Sequence, residues 1–159
     1  MPAASVAALQ AALAAEHAAV YGYGVVGARM PAGPRREDAR AAYTAHQARR
    51  DALERLVGGA RATPAPPAAG YRLPFAVNDD AAAGRLAAHL ETRLTAVYAD
   101  AVAGTTGPLR QTAAAALRET ALRAAHWGAA LPALPGLPDD ATASGGASAA
   151  AAASPSPSA

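Results

Sequence analysis

Apolar positions recur at alternating spacings of three and four along four stretches of the chain, and no strand-type alternation competes with them. In the first stretch Val6, Leu9, Leu13, Glu16, Val20, Tyr23, Gly27 and Met30 form one stripe, the inward face of a helix packed among others. This pattern predicts a helix over about residues 5–28, with Ser5 as its N-cap. Pro31, Gly33 and Pro34 break it. A second helix is predicted over about 35–56, stopped by Gly58 and Gly59. A third follows over about 79–103, capped by Asn78 or Asp79, with Ala87, Leu90, Leu94, Tyr98 and Ala101 as its stripe. The fourth, over about 108–131, opens on Pro108, stops at Pro132 and Pro135, and turns Ala113, Leu117, Thr120, Ala124, Trp127 and Leu131 inward.

The lengths of the connections suggest how these helices are joined. The first and third are short, so each makes an antiparallel hairpin. The middle one, 57–78, carries Pro64, Pro66, Pro67 and Pro74. A helix of this size is roughly 35 Å long, whereas an extended segment of this length reaches roughly 70 Å. It can therefore run the length of the helices and start the second hairpin at the far end. Its apolar island Tyr71, Leu73, Phe75 and Val77 gives it a means of packing on them. Short, long, short is the order of connections in ferritin-like four-helix bundles. The bundle is assigned to residues 1–134. The Ala, Ser, Gly and Pro of 135–159 read as a disordered tail that cannot bury enough apolar surface to fold.

Composition removes several chemistries. The chain has 159 residues and no cysteine, which excludes disulfides, thiolate metal sites and cysteine nucleophiles. Serines are confined to Ser5 and the C-terminal segment, so a serine hydrolase lacks its nucleophile. No glycine-rich phosphate loop follows a strand. All 14 basic residues are arginine, yet the net charge is only +2, and acids are interspersed among them. Charge alone therefore gives no reason to expect nucleic-acid binding. Arg50–Glu54 and Asp51–Arg55 have the spacing of surface helix pairs. No apolar run is read as a membrane span and no signal peptide is recognised, so the expected location is the cytoplasm, with no membrane partner.

Four stretches, LQAALAAEHAAVYGYGVVGAR (Leu9 to Arg29), HQARRDAL (His46 to Leu53), YRLPFAVND (Tyr71 to Asp79) and RETALRAAHW (Arg118 to Trp127), resemble an uncharacterised ferritin-like domain family of high-GC Gram-positive bacteria. The resemblance implies an all-α, ferritin-like four-helix fold of two antiparallel hairpins. It implies no established activity.

Glu16 is the residue that needs an explanation. A carboxylate on an inward stripe costs several kcal/mol unless a metal, a cation or a proton neutralises it, by the order of magnitude for buried ions. Di-iron members of the wider ferritin superfamily place one Glu on each of two helices and Glu-x-x-His on each of the others. Glu16 matches the first lone glutamate, with Tyr23 two turns further along. Glu91 could be the second, although it lies about 60° off its stripe. His46 is preceded three residues earlier by Tyr43 rather than Glu, and Glu119 is followed three later by Leu122 rather than His. Glu119 also lies roughly 100° from its stripe. Both paired motifs are broken, so the metal candidates reduce to Glu16, His46, Glu91 and Glu119, with iron or manganese as the ions that suit such donors.

The competing reading needs no metal. Arg49, Arg50 and Arg123 stand near enough to neutralise the acids and give a polar core of Glu16, His46, arginine and Glu91. Tyr21, Tyr43 and Tyr98 are read as packing groups, Trp127 as an interior anchor, and His17 and His89 as partly exposed. This reading favours a non-catalytic helical bundle that associates with itself as a homo-oligomer or with a partner. The alternative is a degenerate ferritin-type metal and redox protein. The glycines of Tyr21-Gly22-Tyr23-Gly24 are read as close-packing positions that could also admit a ligand between helices.

Overall fold

The computed structural model of the protein describes residues 1–137. Within them lie four helices and no strand: α1 (Ala3–Arg29), α2 (Pro34–Gly59), α3 (Asp80–Gly104) and α4 (Gly107–His126). Helices α1 and α2 pack together, as do α3 and α4, and α1 also packs on α3. Contacts between Glu16 and Tyr98 and between Tyr23 and Glu91 show α1 and α3 running antiparallel. Arg49 to Glu119 and Asp38 to His126 run α2 against α4 in the same sense. The order of directions is therefore up, down, down, up, and residues 60–79 must carry the chain from one end of the helices to the other.

That crossover is pinned to α1. Gln10 Nε2 donates to Thr63 O at 2.7 Å, and Ala65 N donates back to Gln10 Oε1 at 2.8 Å. His17 Nε2 meets Ala65 O at 3.1 Å, so His17 is buried rather than partly exposed. Further on, Tyr71 lies against Tyr21, and Val77 is buried beside Leu86 and Trp127.

The helix ends explain where the expected boundaries shift. Asp79 caps α3, its Oδ1 accepting from Ala82 N at 2.7 Å. Ser5 does not cap α1; it is buried within the first turns and donates to Gly104 O at 3.1 Å, tying the start of α1 to the end of α3. Helix α2 runs through both glycines, and the left-handed residue after it is Arg61 (φ 60°). Ala62 N bonds to Val57 O and Arg61 N to Gly58 O, a Schellman closure. The same pair of bonds, Ala129 N to Ala124 O and Gly128 N to Ala125 O, ends α4 at His126, about a turn before the prolines. Gly128 (φ 91°) permits that stop.

Beyond α4 the chain folds back on α3, where Pro135 and Gly136 lie beside Thr95 and Asp100. Residues 138–159, most of the expected tail, are outside the described residues. By length and composition α1 is apolar enough to cross a membrane, contrary to the expectation that no run reaches that length. Its charged Glu16 and its packing against α2 and α3 also fit a core helix.

The core has two apolar clusters. Leu9, Leu13, Leu53, Val57, Leu94 and Tyr98 fill one end, and Tyr23, Val26, Met30, Leu86, Val77 and Trp127 fill the other. Alanine lines both, which is how so few aromatics suffice. At the level where the clusters meet, α1, α2 and α3 each contribute an ionisable side chain.

Candidate functional site: a buried polar chain

Glu16, His46 and Glu91 are wholly buried, each at 0% exposure. Glu91, expected on a flank, is interior because α3 packs against both α1 and α4, which widens its buried face beyond one stripe. The His46 ring stands between the two carboxylates. Its Nδ1 is 2.7 Å from Glu16 Oε2 and its Nε2 is 3.0 Å from Glu91 Oε1. An imidazolium donates from both ring nitrogens and a carboxylate only accepts, so a charged His46 matches both contacts, whereas a neutral ring would donate only one. Burial alone would push His46 down, but hydrogen bonds to Glu16 and Glu91, and their charges, hold it above the ordinary histidine value.

Two tyrosines extend this into a five-residue chain. Tyr98 donates to Glu16 Oε1 at 2.5 Å and Tyr23 to Glu91 Oε1 at 2.6 Å. The Tyr23 ring also stacks on His46, with centroids 5.1 Å apart. Burial first, and then the adjacent carboxylates, push both phenols far above their ordinary value, so they stay protonated donors.

The arginines divide. Arg49 Nη1 reaches Glu16 Oε1 at 3.8 Å, its guanidinium lies over the Tyr98 ring, and its Nη2 binds Glu119. Burial would lower it, but Tyr98, Glu16 and Glu119 hold it above its ordinary value. Arg123 Nη2 approaches the same Glu119 oxygen at 3.5 Å. Three acidic side chains, Glu16, Glu91 and Glu119, thus meet three basic ones, His46, Arg49 and Arg123. Arg50 takes no part; it pairs with its neighbour Asp51 at 2.6 Å, so the expected Arg50–Glu54 and Asp51–Arg55 pairs are not the ones formed. Tyr43 is also outside the chain, lining a cleft of about 210 Å³ between α1 and α2 with Arg36, Arg40 and Gly24. Gly22 is a close-packing position against Leu90, whereas Gly24 has open space beside it.

The donor set does not fit a dinuclear metal centre. Both imidazole nitrogens are engaged by carboxylates, and the tyrosines occupy one oxygen of each acid. Glu119 does not join Glu16 and Glu91; its half-exposed carboxylate is held by Arg49 and Arg123 at the rim. Instead α4 turns Thr120 inward, and its hydroxyl donates to Ala116 and Leu117 carbonyls of its own helix. Among the described residues no group of three or more His, Asp or Glu is arranged to hold a metal ion. Among the described residues one buried acceptor stays unmatched, Glu91 Oε2, as do the donors Arg49 Nη1 and Arg123 Nη1.

Glu16 and His46 lie at the centre, where their inward positions predict them, whereas Tyr98, expected only to pack, is also a hydrogen-bond donor. The signal was present: Tyr98 lies on the inward stripe of α3, and a buried phenol needs an acceptor.

Among the described residues, fold and site together describe an all-α arrangement of four helices built round a buried polar layer. The chain belongs to the family described as Domain of unknown function (DUF4439), which it matches over residues 8–139. It is similar to a conserved hypothetical protein from Mycobacterium tuberculosis whose crystal structure is known. The two are 37% identical, with a TM-score of 0.76, over 80% of this chain and 96% of the other. No functionally curated protein matches the chain.

Proposed function

We propose that the protein is a ferritin-like, non-catalytic four-helix bundle of the cytoplasm in which a proton-charged histidine stands where relatives of that fold hold metal. The observation that carries this reading is the engagement of both His46 nitrogens by buried carboxylates. Histidine, more than arginine, neutralises the core. A protein of this kind acts through its surface. The outer side of α1 presents Ala4, Ala7, Ala11 and Ala14 with no charge among them, a face suited to close approach of another helix, including that of a second copy.

The test is metal analysis of untagged protein, followed by thermal melts with iron(II), manganese(II) and zinc(II). A ligand bound only by the folded state raises the melting temperature. This reading expects no stoichiometric metal and no shift. Metal-ligand chemistry at Glu16 and Glu91, the second reading, draws on the unmatched Glu91 Oε2. It requires a shift in the wild type that Glu16→Ala and Glu91→Gln both remove.

A further inference from the structure

Outside the polar chain, one cavity joins three elements that the proposed function leaves unused. It is a half-open cleft of about 480 Å³ between α1, the crossover and α3, within the size range of small-molecule sites, roughly 300–1,000 Å³. Two of the stretches singled out in the sequence meet there: Tyr21-Gly22 of α1 and Tyr71-Arg72-Leu73-Pro74 of the crossover. Helix α3 closes it with His89, Leu90 and Arg93.

The lining has two kinds of wall. Tyr21 and Tyr71 stand with ring centroids 5.3 Å apart and planes tilted by 40°. Tyr71 is held in place by its hydroxyl, which accepts from Ala68 N at 3.0 Å. Tyr21 has no such tie and stays 44% exposed, an uncovered aromatic face at the cavity wall. Two exposed arginines, Arg72 and Arg93, also line it. Among the described residues no acid lines the cavity and neither Arg72 nor Arg93 forms an ion pair, whereas Arg49, Arg50 and Arg123 all do. Burial and the charge of Arg93 push His89 below the ordinary histidine value, which leaves a neutral imidazole able to donate one hydrogen bond.

We propose that this cavity binds a small aromatic oxyanion, a planar ring bearing a phosphate or carboxylate group. The ring lies against Tyr21 and Tyr71, and the oxyanion meets Arg72 and Arg93. Guanidinium forks match both oxyanions, and aromatic faces recognise the planar body. Leu73 and Leu90 supply apolar contact at the ring edge.

Full-length protein is titrated with phenyl phosphate, benzoate, phenol and inorganic phosphate, following melting temperature and tyrosine fluorescence. Phenyl phosphate or benzoate is expected to raise the melting temperature and change the fluorescence, and the difference between them identifies the oxyanion. Phenol and inorganic phosphate bind at least about tenfold more weakly, since each lacks one of the two contacts. Arg72→Gln and Arg93→Gln each weaken the aromatic anion by about tenfold or more. Tyr21→Ala weakens the aromatic anion but not inorganic phosphate. These three side chains are exposed or free of hydrogen bonds to the fold, so unchanged melting of the unliganded variants checks that they fold. The proposal is overturned if neither aromatic anion binds, if the double arginine variant binds them like the wild type, or if inorganic phosphate binds equally well.

Discussion

The Tyr98 hydroxyl donates to Glu16 Oε1 at 2.5 Å across 82 residues of chain, joining the third helix to the first in the middle of the core. Glu16 Oε2 receives His46 from the second helix. One carboxylate therefore ties three helices, and its removal strands an imidazolium, a phenol and part of the guanidinium of Arg49. Glu16→Ala is expected to destabilise the protein by about 3–5 kcal/mol, the range for breaking a buried ion pair. Urea melts of the variant and wild type measure it. Replacing Glu16, His46 and Glu91 with leucine and Tyr23 and Tyr98 with phenylalanine removes the buried ions together with the hydroxyls they satisfy, leaves Arg49 its partner Glu119, and is expected to recover most of that loss.

Stability should depend on pH through His46. Its native pKa lies above its ordinary value, so its contribution is complete below about pH 6.5, the unfolded value. It is lost as pH rises through the raised native value. Tyr23 and Tyr98, also raised, lose their contribution only above about pH 10. Denaturation of wild type and His46→Gln between pH 6 and pH 9 should show a decline in the wild type that the variant lacks; parallel curves would refute the assignment.

Much of the fold was legible because helix periodicity and connection length constrain four helices strongly. Glu16 announced itself by interrupting an apolar stripe, and His46 by lying on the inner side of α2. Glu91 and Glu119 were harder to place. A single-stripe projection assumes one neighbour per helix, while α3 has two, so Glu91 went inside and Glu119 stayed at the rim. The hydrogen bonds of the tyrosines depend on the axial register between helices distant in sequence, which periodicity does not encode. The choice of Asp51 by Arg50 is a rotamer decision, beyond what spacing can show.

Neighbouring glycines of α1 should respond in opposite ways. A Cβ on Gly22 would stand 2.5 Å from Leu90 Cδ1, while one on Gly24 meets nothing within 4 Å. Gly22→Val is expected to destabilise by about 1–3 kcal/mol through overpacking. Gly24→Ala is expected to stabilise by roughly 0.5–1 kcal/mol through helix propensity. Thermal melts of the two variants compare them directly.

Asp79 holds the start of α3 at the end of the crossover. Asp79→Ala leaves the Ala82 amide without its acceptor and is expected to cost about 1 kcal/mol. Asp79→Asn, which keeps an acceptor oxygen, should recover most of it. Chemical denaturation of the pair checks the order.

The central claim is that His46 is held as an imidazolium between two carboxylates. Nitrogen-15 NMR of histidine-labelled protein at pH 7, with His46→Gln used to assign the signal, reads the protonation of each ring nitrogen. The account predicts two protonated nitrogens, each carrying a slowly exchanging hydrogen. A His46 ring with one bare nitrogen would contradict it.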